Sequence, residues 1–195
     1  MKSGEFSDIF FNDENYNIRN NLQLVNSLLR IQARHYPDLT IQDFNTKSKN
    51  RIQIIKLIQD NIDCNLDKVN MTNYMKSLAE LFDYDSENIS FKINLNEVIL
   101  DQKIAIPVGM IINELISNSI LHAFKNKPNT SNNITLTIKK EHTKHLLTYT
   151  DNGIGFNKVS FKKKLGLEII NLLTLQIKAK SEEKTTNGVE YKIWF

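Results

Sequence analysis

Two long runs of apolar residues at helical spacing constrain what the first third of this chain can fold into. The first run repeats at the spacing of one helix face and is formed by Leu22, Val25, Leu28, Leu29 and Ile31. It should end at the break around Pro37, and a second run extends from about Ile41 to Ile62. Two long helices joined by a short loop predict an antiparallel helical hairpin, which we assign to residues 8–66.

The second helix of this hairpin carries apolar residues over a wide arc. The pairs Ile54-Ile55 and Leu57-Ile58 place apolar side chains on two faces. Because one hairpin covers only one of these faces, the pattern favours a homodimer in which two hairpins form a four-helix bundle. The alternative is that the second face packs against the rest of the same chain.

From about Val69 the pattern changes to a mixture of helices and alternating strands, which predicts an α/β domain at residues 67–195. We expect helices at 71–82, 104–124 and 165–177, and strands at 89–95, 133–139, 146–150 and 190–195. Pro107 suits a first helical turn and sets the expected start of the second of these helices. The expected fold class is α+β: a dimerising helical hairpin followed by an α/β sandwich with helices on one face of the sheet.

The composition argues against several classes of protein. Apolar residues make up 41% of the chain, and the net charge of +3 is spread out, without the dense basic patch typical of nucleic-acid binding. The single cysteine, Cys64, excludes an internal disulfide and fits a reducing compartment. No apolar run approaches the roughly 20 residues that span a bilayer. We therefore expect a cytoplasmic protein with no membrane segment and no nucleic-acid partner.

A carboxylate and an amide share one face of the helix predicted at 104–124. Glu114 and Asn118 are four residues apart, so their side chains lie side by side. Such a pair is able to hold a hydrated Mg²⁺ ion and a phosphate, because Mg²⁺ prefers oxygen ligands. Taken alone, a polar outer helix face explains the pair equally well.

Two glycine-bearing segments follow later in the chain. The segment DNGIGF, residues 151–156, comes after a strand, and Gly153 and Gly155 would let the backbone approach a flat ring. Asp151 is able to accept a hydrogen bond from an exocyclic amine such as that of adenine. Gly166 opens a helix, and helix N-termini attract phosphate. A plain turn and a solvated basic turn are the alternatives for these two segments.

Taken in order, these segments resemble the histidine kinase superfamily of two-component signalling, in the subfamily whose dimerisation helix reads H-R-V-K-N-N-L-Q. The matching stretches are RNNLQLVNSLLRIQAR, NRIQIIKLI, IPVGMIINELISNSILHAF, DNGIGF and LGLEII. The resemblance implies a dimerisation and phosphotransfer hairpin followed by an ATP-binding domain. It makes Asn118 the Mg²⁺ ligand, Asp151 the adenine ligand, and Gly153, Gly155 and Gly166 the lining of the nucleotide loops. Glu114 is a candidate catalytic residue of the same helix.

The chain departs from this family at the residue that should be phosphorylated. Aligning Arg19-Asn20-Asn21-Leu22-Gln23 with K-N-N-L-Q places Tyr16 at the position of the acceptor histidine. A phenol with a pKa of about 10 needs a base before it attacks, whereas a neutral imidazole does not. Leu121 and Lys163 also stand where the family often has lysine and glycine.

Three functions are compatible with these residues. The first is a histidine kinase that binds ATP and Mg²⁺ and pairs with a response regulator receiver domain, but does not autophosphorylate in the usual way. The second is a non-catalytic dimeric scaffold that binds a response regulator or a partner kinase. The third is a phosphotransfer protein that has lost ATP binding, which the missing histidine disfavours most. Whether the chain is an enzyme stays open between them.

Overall fold

The computed structural model describes residues 41–63, 67–81, 89–95, 97–124, 131–155 and 165–195. The chain divides into two compact units, Met1–Ile52 and Gln53–Phe195, and most of the described residues belong to the second. The first predicted helix and Tyr16 lie outside the described residues. The proposed boundary at residues 66 and 67, the helical hairpin and its dimerisation therefore stay predictions.

The described part alternates helices with short strands. In chain order the elements are α1 (Ile41–Asp60), β1 (Ile62–Asp63), β2 (Lys68–Asn70), α2 (Met71–Leu81), β3 (Ile89–Leu95), β4 (Ile99–Asp101), α3 (Gln102–Asn118), β5 (Asn132–Glu141), β6 (Lys144–Asp151), α4 (Leu165–Gln176), β7 (Lys180–Lys184) and β8 (Val189–Trp194). Helix α3 continues into one π-helical turn, Ser119–Ala123. The mixture of helix and sheet confirms the expected α+β class.

The main sheet has five strands in the order β3-β5-β6-β8-β7. Strand β3 pairs with β5 in parallel, and the other neighbours are antiparallel. Side chains alternate between a buried and a more exposed face, which is typical of a sheet covered on one side. One buried row runs across three strands through Leu136, Tyr149 and Tyr191, and the next through Ile134, Asp151 and Val189. A carboxylate, that of Asp151, thus lies at the end of β6 on the buried face of the sheet, between Ile134 and Val189.

Helix α3 is the core helix of this layer. All residues from Ala105 to Ile116 are buried. The structure corrects its expected start: the helix begins at Gln102, because the Asp101 side chain accepts a hydrogen bond from the Lys103 backbone N–H. Pro107 lies inside the helix rather than in its first turn.

The same helix bears on the expectation that the chain has no membrane segment. Among the described residues, Gln102–Ala123 is the one helix long and apolar enough to cross a membrane. This stretch had not been identified from the sequence as a possible membrane span. Of its apolar window, 72% is buried inside the protein. A buried core helix passes the same test of length and composition, so the absence of a membrane segment stays a prediction.

The last turns of α1 pack within the second unit. Ile54, Ile55 and Ile58 are buried there, and Ile58 lies against Gly109 of α3. For these three side chains the structure supports the alternative in which the apolar residues of the second helix pack on the rest of the same chain. Ile52 differs from them, since 51% of its surface is exposed.

Candidate functional site

A pocket opens between the end of α3, the loop after β6 and the start of α4. Its apolar lining is formed by Leu115, Ala123, Ile154, Leu167 and Val189. Its polar lining is formed by Asn118, Ser119, His122, Tyr149, Asp151 and Tyr191, with Gly155 at one side. A mostly apolar cleft with a few convergent polar groups is typical of a small-molecule site. Three of the residues singled out from the sequence, Asn118, Asp151 and Gly155, line this one pocket.

Asp151 is held firmly at the base of the pocket. Its Oδ1 atom accepts hydrogen bonds from the backbone N–H groups of Gly153, at 2.9 Å, and Val189, at 3.1 Å. Its Oδ2 atom accepts from the Ser119 hydroxyl at 2.5 Å. The residue is only 8% exposed. These donors satisfy much of a buried carboxylate and fix the direction in which its remaining lone pairs point.

Ser119 and Tyr149 are pocket residues that the sequence analysis missed. The Tyr149 hydroxyl lies 2.7 Å from Ser119 Oγ and 3.2 Å from the Leu115 carbonyl oxygen. The sequence did contain one indication for Tyr149: it precedes Asp151 by two residues in a strand, so both side chains lie on the same face of the sheet. Ser119 follows Asn118 directly, but only the π-helical turn that starts there brings its hydroxyl onto Asp151. Such turns are frequent at functional sites.

Gly153 and Gly155 allow the loop after β6 to pass close to its neighbours. A Cβ atom on Gly153 would lie 2.4 Å from the Cβ of Ala123, and the next residue, Ile154, donates its N–H to the Ala123 carbonyl at 3.0 Å. Gly155 has φ of +67° and would place a Cβ 2.1 Å from the Thr185 carbonyl oxygen. Both glycines are therefore required by close backbone approach, the property expected of them from the sequence.

Gly166 faces the two polar side chains of α3. A Cβ atom at this position would lie 3.0 Å from Glu114 Oε2 and about as close to both terminal atoms of the Asn118 amide. Glu114 is buried and Asn118 is half-buried. The first turn of α4 thus lies directly over the carboxylate and amide that the sequence placed on one helix face. Among the described residues, no group of three or more His, Cys, Asp or Glu side chains forms a metal site, so any Mg²⁺ here would draw on this pair and on its own ligands.

Three more residues in or near the pocket have properties that bear on what it binds. Burial, and after it the neighbouring Glu183 carboxylate, raise the pKa of Tyr191 well above its usual range, so its phenol stays neutral. Leu121 and Ile154 are apolar yet 53% and 58% exposed. Tyr16, the remaining residue singled out from the sequence, lies outside the described residues.

Comparison with known proteins shows which proteins this chain is similar to. Residues 15–84 match the sequence profile of a family described as histidine kinase. The chain is 29% identical over 177 residues to the sensor histidine kinase PdtaS of Mycolicibacterium smegmatis, and 29% identical over 176 residues to its counterpart in Mycobacterium tuberculosis. The chain is therefore similar to histidine kinases, over residues 15–84 in the family profile and over most of its length in these relatives. Each alignment with these relatives covers 85% of this chain and 34% of the relative, so the chain spans about a third of their length.

Solved structures of histidine kinases share the fold. The histidine kinase domain of a blue-light-activated kinase from Erythrobacter litoralis superimposes with a TM-score of 0.66 at 15% identity, covering 87% of this chain and 95% of that domain. A longer structure of the same kinase gives 0.71 at 17% identity, covering 91% of this chain and 58% of the other. At these identities the likeness concerns the fold, which combines a helical part with an α/β part.

Proposed function

We propose that this chain is a two-component signalling protein that binds ATP with Mg²⁺ in the pocket below α4 and does not autophosphorylate at position 16. The observation that carries the nucleotide proposal is Asp151, a buried carboxylate aimed into an apolar cleft. Its two backbone donors leave acceptor capacity for an exocyclic amine on a flat ring. Adenine has both the ring and the amine.

The other end of the pocket suits the phosphates and their metal. Asn118 and Glu114 converge under Gly166, at the start of a helix whose backbone N–H groups attract anions. When bound, Mg²⁺ would neutralise phosphate charge, and Asn118 is the side chain proposed to contact it. Asp151 would orient the base, and Gly153 and Gly155 would leave room for it.

The proposed signalling role is supported by the similarity to histidine kinases and by the residue at position 16. We infer a response regulator receiver domain as partner, together with a homodimer and a cytoplasmic location, for which the single Cys64 is the support in the sequence. Tyr16 in place of histidine favours a member that binds nucleotide and its partner without forming a phosphohistidine. A non-catalytic scaffold is the second candidate, and the exposed Leu121 where the family often has lysine favours it.

The nucleotide proposal predicts a specific effect of Asp151→Asn. The amide oxygen is able to keep the bonds from Gly153 and Val189, while its NH₂ group replaces Oδ2 and opposes an incoming amine. Binding of ATP with Mg²⁺ should weaken by roughly 1–3 kcal/mol, the scale of a lost hydrogen bond to a charged group. Isothermal titration calorimetry on the full chain measures this, with circular dichroism to show that the variant is folded. Absence of heat from the unmodified chain at millimolar ATP would contradict the proposal.

A further inference from the structure

Three buried side chains form a relay that ends on the pocket carboxylate. Tyr149, Ser119 and Asp151 are all buried, and they come from β6, the end of α3 and the end of β6. The Tyr149 hydroxyl is 2.7 Å from Ser119 Oγ, and Ser119 Oγ is 2.5 Å from Asp151 Oδ2. Neither hydroxyl is needed to build the sheet or the helix, since the backbone pairing of β6 is complete without them.

The protons of this relay all point one way. An ionised carboxylate has no proton to give, so the Ser119 hydroxyl must donate to it. The serine oxygen is then free to accept, and the Tyr149 hydroxyl, which has one proton, lies closer to it than to the Leu115 carbonyl oxygen at 3.2 Å. The order of donation is therefore Tyr149 to Ser119 to Asp151.

Loss of the tyrosine hydroxyl would release the serine. A serine at the end of a helix is able to turn its hydroxyl to the carbonyl four residues earlier, which here is that of Leu115. Asp151 would then lose the donor on Oδ2, and its carboxylate would be freer to rotate away from the direction in which it accepts from an amine and opposes a carbonyl.

We propose that Ser119 and Tyr149 are positioning residues that hold Asp151 as a pure acceptor, so that the pocket selects a purine with an amino group at the ring position facing Asp151 over one with a carbonyl there. The proposal rests on the proposed nucleotide site and adds two residues that set its specificity. Neither residue needs to touch the ligand for this effect, because both act through the carboxylate.

The experiment compares three nucleotides that differ at that ring position. ADP carries an amine there, inosine diphosphate a carbonyl together with a proton on the neighbouring ring nitrogen, and purine riboside diphosphate a hydrogen. Each is titrated with Mg²⁺ into the full chain, into Tyr149→Phe and into Ser119→Ala. The matched control is Tyr74→Phe, because the Tyr74 hydroxyl is also fully buried and also donates a hydrogen bond, in its case to the Gly109 carbonyl, but lies outside the pocket.

The expected result is a change in preference rather than a general loss. The ratio of ADP affinity to inosine diphosphate affinity should fall about three- to tenfold in Tyr149→Phe and in Ser119→Ala, the scale of one hydrogen bond. Affinity for purine riboside diphosphate should stay within about twofold of the unmodified chain, and Tyr74→Phe should keep the full ratio, whatever its melting temperature.

Two results would overturn the inference by different routes. If all three nucleotides weaken equally in the pocket variants, or if the ratio does not move, Ser119 and Tyr149 have only a structural role and the nucleotide site stands without them. If the unmodified chain binds none of the three, the proposed nucleotide site is wrong, and so is the proposed role of Ser119 and Tyr149 in its specificity. Ser119→Ala keeps the test open should Tyr149→Phe fail to fold.

Discussion

Gly166 is the single residue on which the placement of Glu114 and Asn118 depends most directly. In Gly166→Ala the new Cβ would lie 3.0 Å from Glu114 Oε2 and 3.1 Å from Asn118 Oδ1, so both side chains must shift by a few tenths of an ångström. We expect nucleotide binding in the presence of Mg²⁺ to weaken by about 1 kcal/mol, while binding without Mg²⁺ changes less, because the shift falls on the proposed metal side. Calorimetry with and without Mg²⁺ separates the two.

Gly109→Ala is the control for that experiment. Its Cβ would lie 2.7 Å from Ile58 Cδ1 and 2.9 Å from the Tyr74 hydroxyl, in the core and away from the pocket. Overpacking of this kind costs typically about 1–3 kcal/mol of stability. The melting temperature should therefore fall in Gly109→Ala with Mg²⁺-dependent binding intact. Equal losses of Mg²⁺-dependent binding in the two variants would show that Gly166 has no special relation to the metal.

His145 gives the α/β layer a defined sensitivity to acid. It stacks on the terminal Phe195, with ring centroids 5.6 Å apart, and burial followed by the nearby Lys140 charge lowers its pKa. A histidine whose pKa is lower in the folded state takes up protons more readily when unfolded. Its contribution to stability is therefore complete above the unfolded pKa of about 6.5 and is lost as the pH falls through the lower, folded value.

Replacing His145 should reduce the loss of melting temperature between about pH 7.5 and about pH 5.5. His145→Phe keeps a ring against Phe195 but cannot titrate, whereas His145→Gln loses both the ring and the titration. If the titrating group is the cause, both variants flatten the pH dependence, measured by differential scanning calorimetry. A steep dependence that persists in His145→Phe would place the acid sensitivity elsewhere.

At the scale of elements, helix α1 carries two kinds of apolar residue. Ile55 is buried within the second unit, so Ile55→Asp should unfold that unit, because an unpaired buried charge is costly.

Ile52 is 51% exposed, and the predicted dimer would cover it. Ile52→Asp should therefore weaken self-association about tenfold or more while leaving the melting of the second unit unchanged. Sedimentation equilibrium measures this, with Gln53→Asp on the same exposed stretch as control, and an unchanged dimer in Ile52→Asp would argue against the bundle.

The sequence predicted the long elements well because their periodicity is carried by many residues. Strand β3 has the expected bounds, and α1 and α4 end within two residues of expectation. Strands β1, β2 and β4 were missed because two or three residues show no alternation, and β7 because all five of its residues are exposed and most are charged. The expected start of α3 was wrong because Pro107 was assigned to the first helical turn and the Asp101 cap was not recognised.

In the pocket too, residues that belong to a sequence motif were predicted, and residues whose role depends on tertiary contacts were not. Asp151 and the glycines were recognisable because a carboxylate and two glycines follow a strand in a pattern that resembles a known family. Ser119 and Tyr149 were not, because their role arises only where the π-helical turn brings a hydroxyl of α3 onto β6. The spacing of residues along the chain does not indicate this contact between Ser119 and the two residues of β6.

At the scale of the whole molecule, the pocket proposed to bind nucleotide and position 16 belong to different units, so their roles are separable by experiment. In Tyr16→His the imidazole offers a nitrogen that is nucleophilic at neutral pH, which the phenol does not. If the rest of the chain keeps the ability to deliver a phosphoryl group, this variant should gain label from radioactive ATP, and the label should be lost in acid and kept in base. The unmodified chain and Tyr16→Phe should stay unlabelled.

The decisive control for this gain of function combines one substitution in each of the two units. Adding Asp151→Asn to Tyr16→His should reduce labelling in proportion to the loss of nucleotide affinity, which shows that the phosphoryl group comes through this chain's own pocket and not from a contaminating kinase. Acid-stable label on the unmodified chain would identify a hydroxyl acceptor, and the proposal of a member without autophosphorylation would be wrong. If Tyr16→His binds nucleotide well yet stays unlabelled, the missing imidazole is not the only obstacle, and the second candidate, a scaffold whose pocket serves recognition alone, becomes the better account of this chain.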